Sequence, residues 1–289
     1  MTPGSSHSGA SHRSGGADGS TDARVRRRDT LRFVLLLARQ RIVDAYRSAG
    51  LGALWAFLPQ LAQIATLGFI LGAVMPQKLG GGSVGTAVPY VVYMLPGVLL
   101  WQLFHDTLIN VANALPAQRL ILKKHPVDLG LIALYVPLAQ GVPFLAALGV
   151  LWLLVALFWQ PVPIAAVGVT LLVALALAAM AYVVGLVWGM VAVLIPDVRL
   201  ALPSLLQVGF WLTPIVYPPD IIPAAWRQSW MVLHPWYGWL APVQAAWTGL
   251  PALQPPAAWY VTPAVIAVVH AIVLWRMVNR GRKVVLDAL

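Results

Sequence analysis

Long apolar segments separated by short polar ones dominate the chain. No Lys, Arg, Asp or Glu occurs from Leu129 to Pro196, and further charge-free runs cover residues 48–77, 79–104, 200–219 and 228–275. A helix needs about 20 apolar residues to cross the roughly 30 Å hydrocarbon layer of a bilayer. The run from 129 to 196 is therefore long enough for two membrane-spanning helices, and we predict an all-α integral membrane protein.

The same length criterion divides the chain into six membrane-spanning helices. The predicted spans are residues 51–75, 89–115, 131–158, 164–195, 200–217 and 259–276. Pro96 is expected to kink the second span, because proline lacks the amide that a helix interior uses. The Gly-rich segment 80–85 is expected to turn outside the membrane, and the prolines between 159 and 163 separate spans three and four.

Two sections precede the first span. Residues 1–23 are rich in Ser, Gly and His and are expected to form a disordered tail, so that the transmembrane domain covers 24–289. Residues 29–48 are predicted to form an amphipathic helix that lies in the membrane interface. Its apolar stripe includes Val34 and Ala38, and its charged residues lie on the other side.

The segment 218–258 is apolar, but its prolines interrupt any continuous helix. The pieces 224–233 and 236–250 are each too short to cross the bilayer. We therefore predict a re-entrant pair of half-helices that dips into the outer leaflet between spans five and six. A seventh span would also place the two basic termini on opposite sides of the membrane.

The distribution of basic residues predicts the orientation of the chain. Every Lys and Arg except Lys78 and Arg227 lies in a terminus or in the loops 116–130 and 196–199, which six spans place on one side. Because positive residues accumulate on the cytoplasmic side, both termini are predicted to be cytoplasmic. The formal net charge of +10 would suggest a nucleic-acid partner in a soluble chain. In this membrane protein we predict none.

Few residues offer catalytic chemistry. The chain has no Cys, and no Lys lies in a phosphate-binding Gly-x-x-x-x-Gly-Lys motif, so it is not expected to hydrolyse ATP alone. No cofactor or metal site is predicted. The intramembrane pair His105 and Asp106 would suit an acyl- or glycosyl-transferase, because a charged side chain in a span usually faces protein or water. The alternative is a carboxylate that pairs with a neighbouring residue.

Several sequence elements resemble the ABC-2 type permeases of polysaccharide exporters. The segment 46–59 resembles their Tyr-basic-x-Ser-x-Leu-Gly-x-x-Trp junction with one residue inserted, and 122–126 resembles a shortened Lys-Lys-x-x-Phe-Pro loop. The segments 196–199 and 212–218 resemble the family's Arg-Asp turn and Thr-Pro-Ile-x-Tyr-Pro element, and 234–236 stands for its Asn-Pro element. The resemblance covers residues 29–289.

The resemblance implies a homodimer with six helices per protomer, paired with a separate cytoplasmic ABC ATPase subunit. Members of the family move lipid-linked O-antigen, teichoic acid or similar polymers outward across the bacterial inner (cytoplasmic) membrane. The loop between spans two and three is implied to dock on the ATPase. The residues proposed for this coupling are Arg119, Lys123, Lys124 and His125. Ordinary cytoplasmic charge is the alternative role of this loop, and a drug or a lipid is the alternative substrate of such a permease.

A polyprenyl-diphosphate-linked polysaccharide would need cations for its diphosphate and flat surfaces for its sugars. Arg39, Arg41 and Arg47 on the amphipathic helix are the candidates for the diphosphate, with headgroups of membrane lipids as the alternative ligand. Sugar rings stack on aromatic side chains. The aromatic candidates for the translocation path are Trp101, Phe104, Phe210, Trp211 and Tyr217. The residues interpreted as an interfacial aromatic belt are Trp226, Trp230, Trp236 and Trp239.

Overall fold

The structure, a computed structural model, describes residues 32–44, 78–79, 88–118, 133–158, 161–234, 236–250 and 257–288, with single positions at 58, 62–63, 65–66, 69 and 131. Eight helices cover most of these residues. They are α1 (32–44), α2 (Tyr90–Ala117), α3 (Tyr135–Phe158), α4 (Ile164–Leu194), α5 (Asp197–Leu212), α6 (Ala224–Leu233), α7 (Tyr237–Thr248) and α8 (Val261–Ala288). Two 3-10 turns, Pro219–Ile221 and Ala257–Tyr260, precede α6 and α8.

Helix α2 lies at the centre of the described fold. Helices α3, α4, α5 and α7 all pack against it. Most of its side chains are buried, and the helix is continuous through Pro96. A helix that is buried on most sides is surrounded by protein rather than by lipid. We name the two ends of the helical bundle after the two ends of α2, the Tyr90 end and the Ala117 end.

Three helices in the described part of the chain are long and apolar enough to cross a bilayer. They are Tyr135–Phe158, Ile164–Leu194 and the first part of α8, Val261–Asn279, at the positions of predicted spans three, four and six. Large apolar side chains on these helices are open, and Leu172 and Leu175 of α4 are each 71% exposed. Such surfaces require lipid or another apolar partner. The helical membrane class is thereby confirmed, and the count of six spans stays a prediction.

Helix α5 differs from the predicted fifth span at both ends. It begins at Asp197 rather than Leu200, because an acidic residue in the first turn suits the helix dipole. It ends at Leu212 rather than Tyr217. Pro214 explains this earlier end, since the residue before a proline is pushed out of the helical region, and Thr213 is extended with φ −83° and ψ 133°.

The proline-rich segment contains two short helices, α6 and α7, at the two positions predicted for them, and α7 continues through Pro242. Pro223 directly precedes α6, where its missing amide costs no hydrogen bond. Helix α7 ends at Thr248 and is capped by Gly249, whose φ of 68° lies in the left-handed region that glycine adopts without strain. Neither helix is long enough to span the membrane. That they dip into the outer leaflet stays a prediction.

A small strand pair precedes α2. Lys78–Leu79 pairs in antiparallel fashion with Val88–Pro89. The pairing brings together the two ends of the Gly-rich segment, directly before the first residue of α2. The sequence predicted a turn here but no strands, because two-residue strands carry no alternating pattern that could be detected.

Helix α1 packs across the Ala117 end of the bundle. Its Val34 and Ala38 are buried together with Ala114 at the end of α2 and Leu186 of α4. The neighbouring residues Leu35 and Leu36 are exposed. One edge of the predicted apolar stripe is therefore used for packing against protein. The exposed apolar side chains form the surface that an interfacial helix would turn towards lipid.

Two glycines allow α4 to approach α2 closely. A Cβ atom at Gly185 would lie 2.9 Å from the carbonyl oxygen of Leu108, and one at Gly189 would lie 2.9 Å from the carbonyl oxygen of Ala112. Small residues four positions apart let membrane helices pack backbone against backbone. No larger side chain fits at either position unless α2 moves.

Candidate functional site

Aromatic side chains from α2, α5 and the segment before α7 form an aromatic cluster. The ring centroid of Trp101 lies 5.8 Å from that of Phe104, 5.9 Å from Phe210 and 5.3 Å from Trp236. Phe104 and Trp236 are 5.7 Å apart with an interplanar angle of 66°. Edge-to-face pairs of this kind are favourable because the positive ring edge meets the negative face. The cluster therefore fixes α5 and the start of α7 to the centre of α2.

The aromatic residues predicted for the translocation path do not share one surface. Trp101, Phe104 and Phe210 are buried in the aromatic cluster. Trp211 is exposed beside Phe210, with ring centroids 5.3 Å apart. Tyr217 lies beyond the end of α5, where its hydroxyl donates a hydrogen bond of 2.8 Å to the carbonyl oxygen of Leu212. Of these five rings, Trp211 presents the most open face, and the path stays a prediction.

Trp236 lies in the aromatic cluster rather than in an interfacial belt. It is half-buried, and its indole Nε1 has no hydrogen-bond partner among the described residues. Trp226 is 71% exposed, as a belt residue would be. The contact between Trp236 and α2 joins residues more than a hundred positions apart. A local sequence pattern cannot predict such a contact.

An apolar groove runs between the end of α5 and α6. Its volume is about 440 Å³, and it is lined by Leu212, Trp226, Ser229, Trp230, Leu233, His234 and Trp236. Burial lowers the pKa of His234 to about 4, because an apolar surrounding disfavours the charged ring. The groove is therefore uncharged at neutral pH. Its walls suit aliphatic chains or the CH-rich faces of rings.

Polar residues that the sequence predicts to lie in the second span follow one side of α2. Gln102, Asp106 and Asn110 follow one another at four-residue spacing, and we refer to these three residues as the polar face. Gln102 Nε2 donates to Asp106 Oδ2 at 3.0 Å. Asn110 Nδ2 donates to the backbone carbonyl of Asp106 at 2.7 Å. Of these three residues the sequence analysis identified only Asp106, although the four-residue spacing of the two amides is visible in the sequence.

His105 and Asp106 contact each other, as a catalytic pair or a simple neighbour pair would. His105 Nδ1 lies 3.0 Å from Asp106 Oδ1, and the two side chains are 31% and 29% exposed. In the described ranges, no group of three or more His, Cys, Asp or Glu residues could hold a metal ion. The geometry can orient a hydroxyl group or a water molecule at the carboxylate.

Arg41 extends the polar face onto α1. Its Nη2 donates to Asn110 Oδ1 at 2.5 Å, and its guanidinium carbon lies 5.7 Å from the centroid of the Tyr135 ring. The second contact is a cation–π interaction, which holds the guanidinium between α2 and α3. Arg39 is exposed. Arg47, the third residue predicted to bind the diphosphate, lies outside the described residues.

The four residues predicted to couple to an ATPase also lie outside the described residues. They are Arg119, Lys123, Lys124 and His125. The chain on either side of them is described, and both sides meet α1, because Ala114 and Ala133 are buried in one cluster with Val34 and Ala38. The loop between α2 and α3 therefore starts and ends beside α1. Its docking role stays a prediction.

At the Tyr90 end of α2, side-chain donors hold an anchored turn formed by residues 213–217. The Tyr93 hydroxyl lies 3.1 Å from the carbonyl oxygens of Pro214 and Tyr217. Gln244 Nε2 of α7 donates to the Pro214 carbonyl at 2.9 Å, and the Tyr90 hydroxyl donates to the Val216 carbonyl. Non-helical backbone at membrane depth needs such partners. The donors on α2 and α7 could not be identified from the sequence.

The model of the ABC-2 type transporter family matches residues 32–250. The O-antigen export system permease protein RfbA of Klebsiella pneumoniae is 23% identical over 218 residues, which cover 75% of this chain and 79% of that protein. The matched range runs from α1 to the end of α7. It includes the polar face, the aromatic cluster and the anchored turn.

Proposed function

We propose, because this chain belongs to the ABC-2 type transporter family, that it is the transmembrane subunit of an exporter for a lipid-linked polysaccharide. We propose a polysaccharide as the substrate because the chain is similar, over three quarters of its length, to a permease named for O-antigen export. A polyprenyl-diphosphate-linked polymer would be the substrate. The subunit would act as a homodimer in the bacterial inner membrane, with both termini in the cytoplasm.

A separate cytoplasmic ATPase would supply the energy. The chain itself has no phosphate-binding Gly-x-x-x-x-Gly-Lys motif. The loop between α2 and α3 is the proposed docking element, with Lys123 and Lys124 as contacts. Both sides of this loop are packed beside α1. A movement of the loop would therefore act on α1 and α2 together.

Helix α2 is the element that would carry this movement across the membrane. It runs without interruption from the docking loop to the anchored turn, where Tyr93 binds the carbonyls of Pro214 and Tyr217. The aromatic cluster attaches α5 to the middle of the same helix. A shift at the Ala117 end would reach α5 and α7 through these contacts. In this proposal ATP binding at one site and opening of the polymer path at another are coupled allosterically.

Co-purification with the partner ATPase tests the proposal. We expect a stable detergent-solubilised complex, and we expect a strain without this chain to lose a surface polysaccharide. Replacement of Lys123 and Lys124 by Ala should lower polymer export while the chain stays in the membrane. Lys78→Ala, predicted on the opposite side, is the matched control. A chain that binds no ATPase, or a deletion strain with normal surface polysaccharide, would contradict the proposal.

A small apolar compound is the second candidate substrate, and one cavity favours it. A space of about 260 Å³ lies between α2, α4, α5 and α8, and its walls include Phe104, Met180, Trp188 and Ile266. This volume suits a drug-sized apolar molecule or part of a lipid chain. In that case the deletion strain would keep its polysaccharide and become sensitive to the compound.

A further inference from the structure

The polar face of α2 is partly exposed, although most of the helix is buried. The side chains of Gln102, Asp106 and Asn110 are partly buried, and that of Asp106 is 29% exposed. On the opposite side of the same helix, Phe104 and Leu108 are buried. Gln140 and Phe144 of α3, together with Gln102 and Asp106, line a niche of about 10 Å³, which has room for a single hydroxyl group or water molecule. A polar surface therefore remains available in the middle of a helix that is otherwise enclosed by protein.

Lipid does not suit this surface. The helices α3, α4 and α8 show what lipid-facing surface looks like in this protein, because their large exposed apolar side chains are mostly Leu, Val and Ile. A carboxylate at the centre of a membrane helix costs about 2.5–3.5 kcal/mol on insertion scales unless it faces protein or water. Asp106 and the two amides must therefore face water, a polar ligand or protein.

The hydrogen bonds within the polar face do not use all the acceptor positions of the Asp106 carboxylate. Asp106 accepts one bond at Oδ2 from Gln102, and its Oδ1 contacts His105. A carboxylate offers about four acceptor positions, so further donors can bind to it. The amides of Gln102 and Gln140 add both donors and acceptors in the same niche. Sugar hydroxyl groups, which donate and accept, match this mixture.

We propose that the polar face of α2, with Gln140 of α3, is a hydroxyl-binding subsite in which Asp106 accepts hydrogen bonds from the sugars of the exported polymer. This inference rests on the proposed function and adds a second kind of contact to it. The buried rings of the aromatic cluster do not offer stacking surface, whereas the polar face is open. Arg41, bonded to Asn110, continues the same surface to α1 and joins the subsite to the predicted diphosphate region.

Single-cysteine labelling tests whether the polar face meets water. The chain has no Cys, so each introduced thiol is the only one in this subunit, whose labelling is read on its own gel band. We expect a charged, membrane-impermeant thiol reagent to modify Gln102→Cys in the complex with its ATPase. Leu175→Cys on the exposed apolar surface of α4 and Leu108→Cys in the core should not react. An unreactive Gln102→Cys would mean that lipid or a second copy of the chain covers this face, and would overturn the proposal.

Protection by the polymer tests whether the ligand is carbohydrate. Labelling of Gln102→Cys is compared in membranes from cells that synthesise the surface polysaccharide and from cells blocked in its synthesis, both held with a non-hydrolysable ATP analogue. We expect slower labelling where polymer is present. Equal labelling in both membranes would overturn the hydroxyl-binding role.

Substitution of the carboxylate tests its contribution to export. We expect Asp106→Asn to lower the export rate about tenfold, as for the loss of one hydrogen bond to a charged group. Asp44→Asn, which removes an exposed carboxylate from α1, is the matched control and should export normally. Normal export by Asp106→Asn would overturn the subsite alone. Normal polysaccharide in a strain lacking the whole chain would overturn the proposed function instead.

Discussion

The two sides of α2 differ in how tightly they are packed and in whether they carry exposed polar side chains. Towards α4 the helix is packed so tightly that Gly185 and Gly189 leave no room for a Cβ atom. On its other side Gln102 and Asp106 are partly exposed and bonded mainly to each other. The closed side determines how the helix is held, and the open side retains unused hydrogen-bonding capacity. Changes on the closed side should therefore cost stability, and changes on the open side should affect transport.

The largest loss of stability is expected at the glycine contact. We expect Gly185→Ala to destabilise the protein by about 2 kcal/mol, because overpacking of a filled core costs roughly 1–3 kcal/mol. Unfolding of the purified protein in detergent by a denaturing surfactant measures the change. Gly168→Ala in the same helix is the control, since a Cβ there meets nothing within 4 Å. Equal stability of the two variants would show that α2 and α4 are not in close contact.

A smaller loss is expected at the anchored turn. Tyr93→Phe removes the hydroxyl that lies 3.1 Å from two backbone carbonyls, and Tyr93 is fully buried. We expect a destabilisation of about 1 kcal/mol, because hydrogen bonds inside membrane proteins contribute modestly. The same unfolding measurement applies. Tyr260→Phe, at an exposed tyrosine, should change nothing, and a similar loss in both variants would count against the turn as an anchor.

The smallest effect on stability is expected on the polar face. Gln102→Leu removes one donor to Asp106, but the carboxylate is still open to water. We expect a change within about 0.5 kcal/mol, as for surface substitutions in general. Export should nevertheless decline, so the ratio of transport loss to stability loss should be far larger than for Tyr93→Phe. A large loss of stability would show that this side of α2 is packed in the assembled transporter.

The sequence predicted the elements that depend on local pattern. The long charge-free run and the prolines near 161–163 indicated the positions of α3 and α4, and prolines also delimited α6 and α7. The end of α5 was predicted too late. The apolar run continues to Tyr217, and hydropathy alone does not register that Pro214 removes Thr213 from the helix.

The candidate site was only partly accessible to sequence analysis. Asp106 was identified because a charge in a span is rare, and His105 because it is adjacent. Gln102 and Asn110 are uncharged, so a search for charged residues did not identify them. They lie one helical turn before and after Asp106. The position of Trp236 depends on a contact between distant segments, and no periodicity in the chain encodes that contact.

The early end of α5 also has a consequence for the membrane around it. A helix of 16 residues is about 24 Å long, which is less than the roughly 30 Å thickness of the hydrocarbon layer. As the predicted fifth span, α5 would be accommodated by local thinning of the bilayer, because a helix that is already too short gains nothing from tilting. The hydrocarbon layer beside α5 would then be thinner than the layer around it. A hydrophilic chain passing there would have a shorter distance to travel away from water.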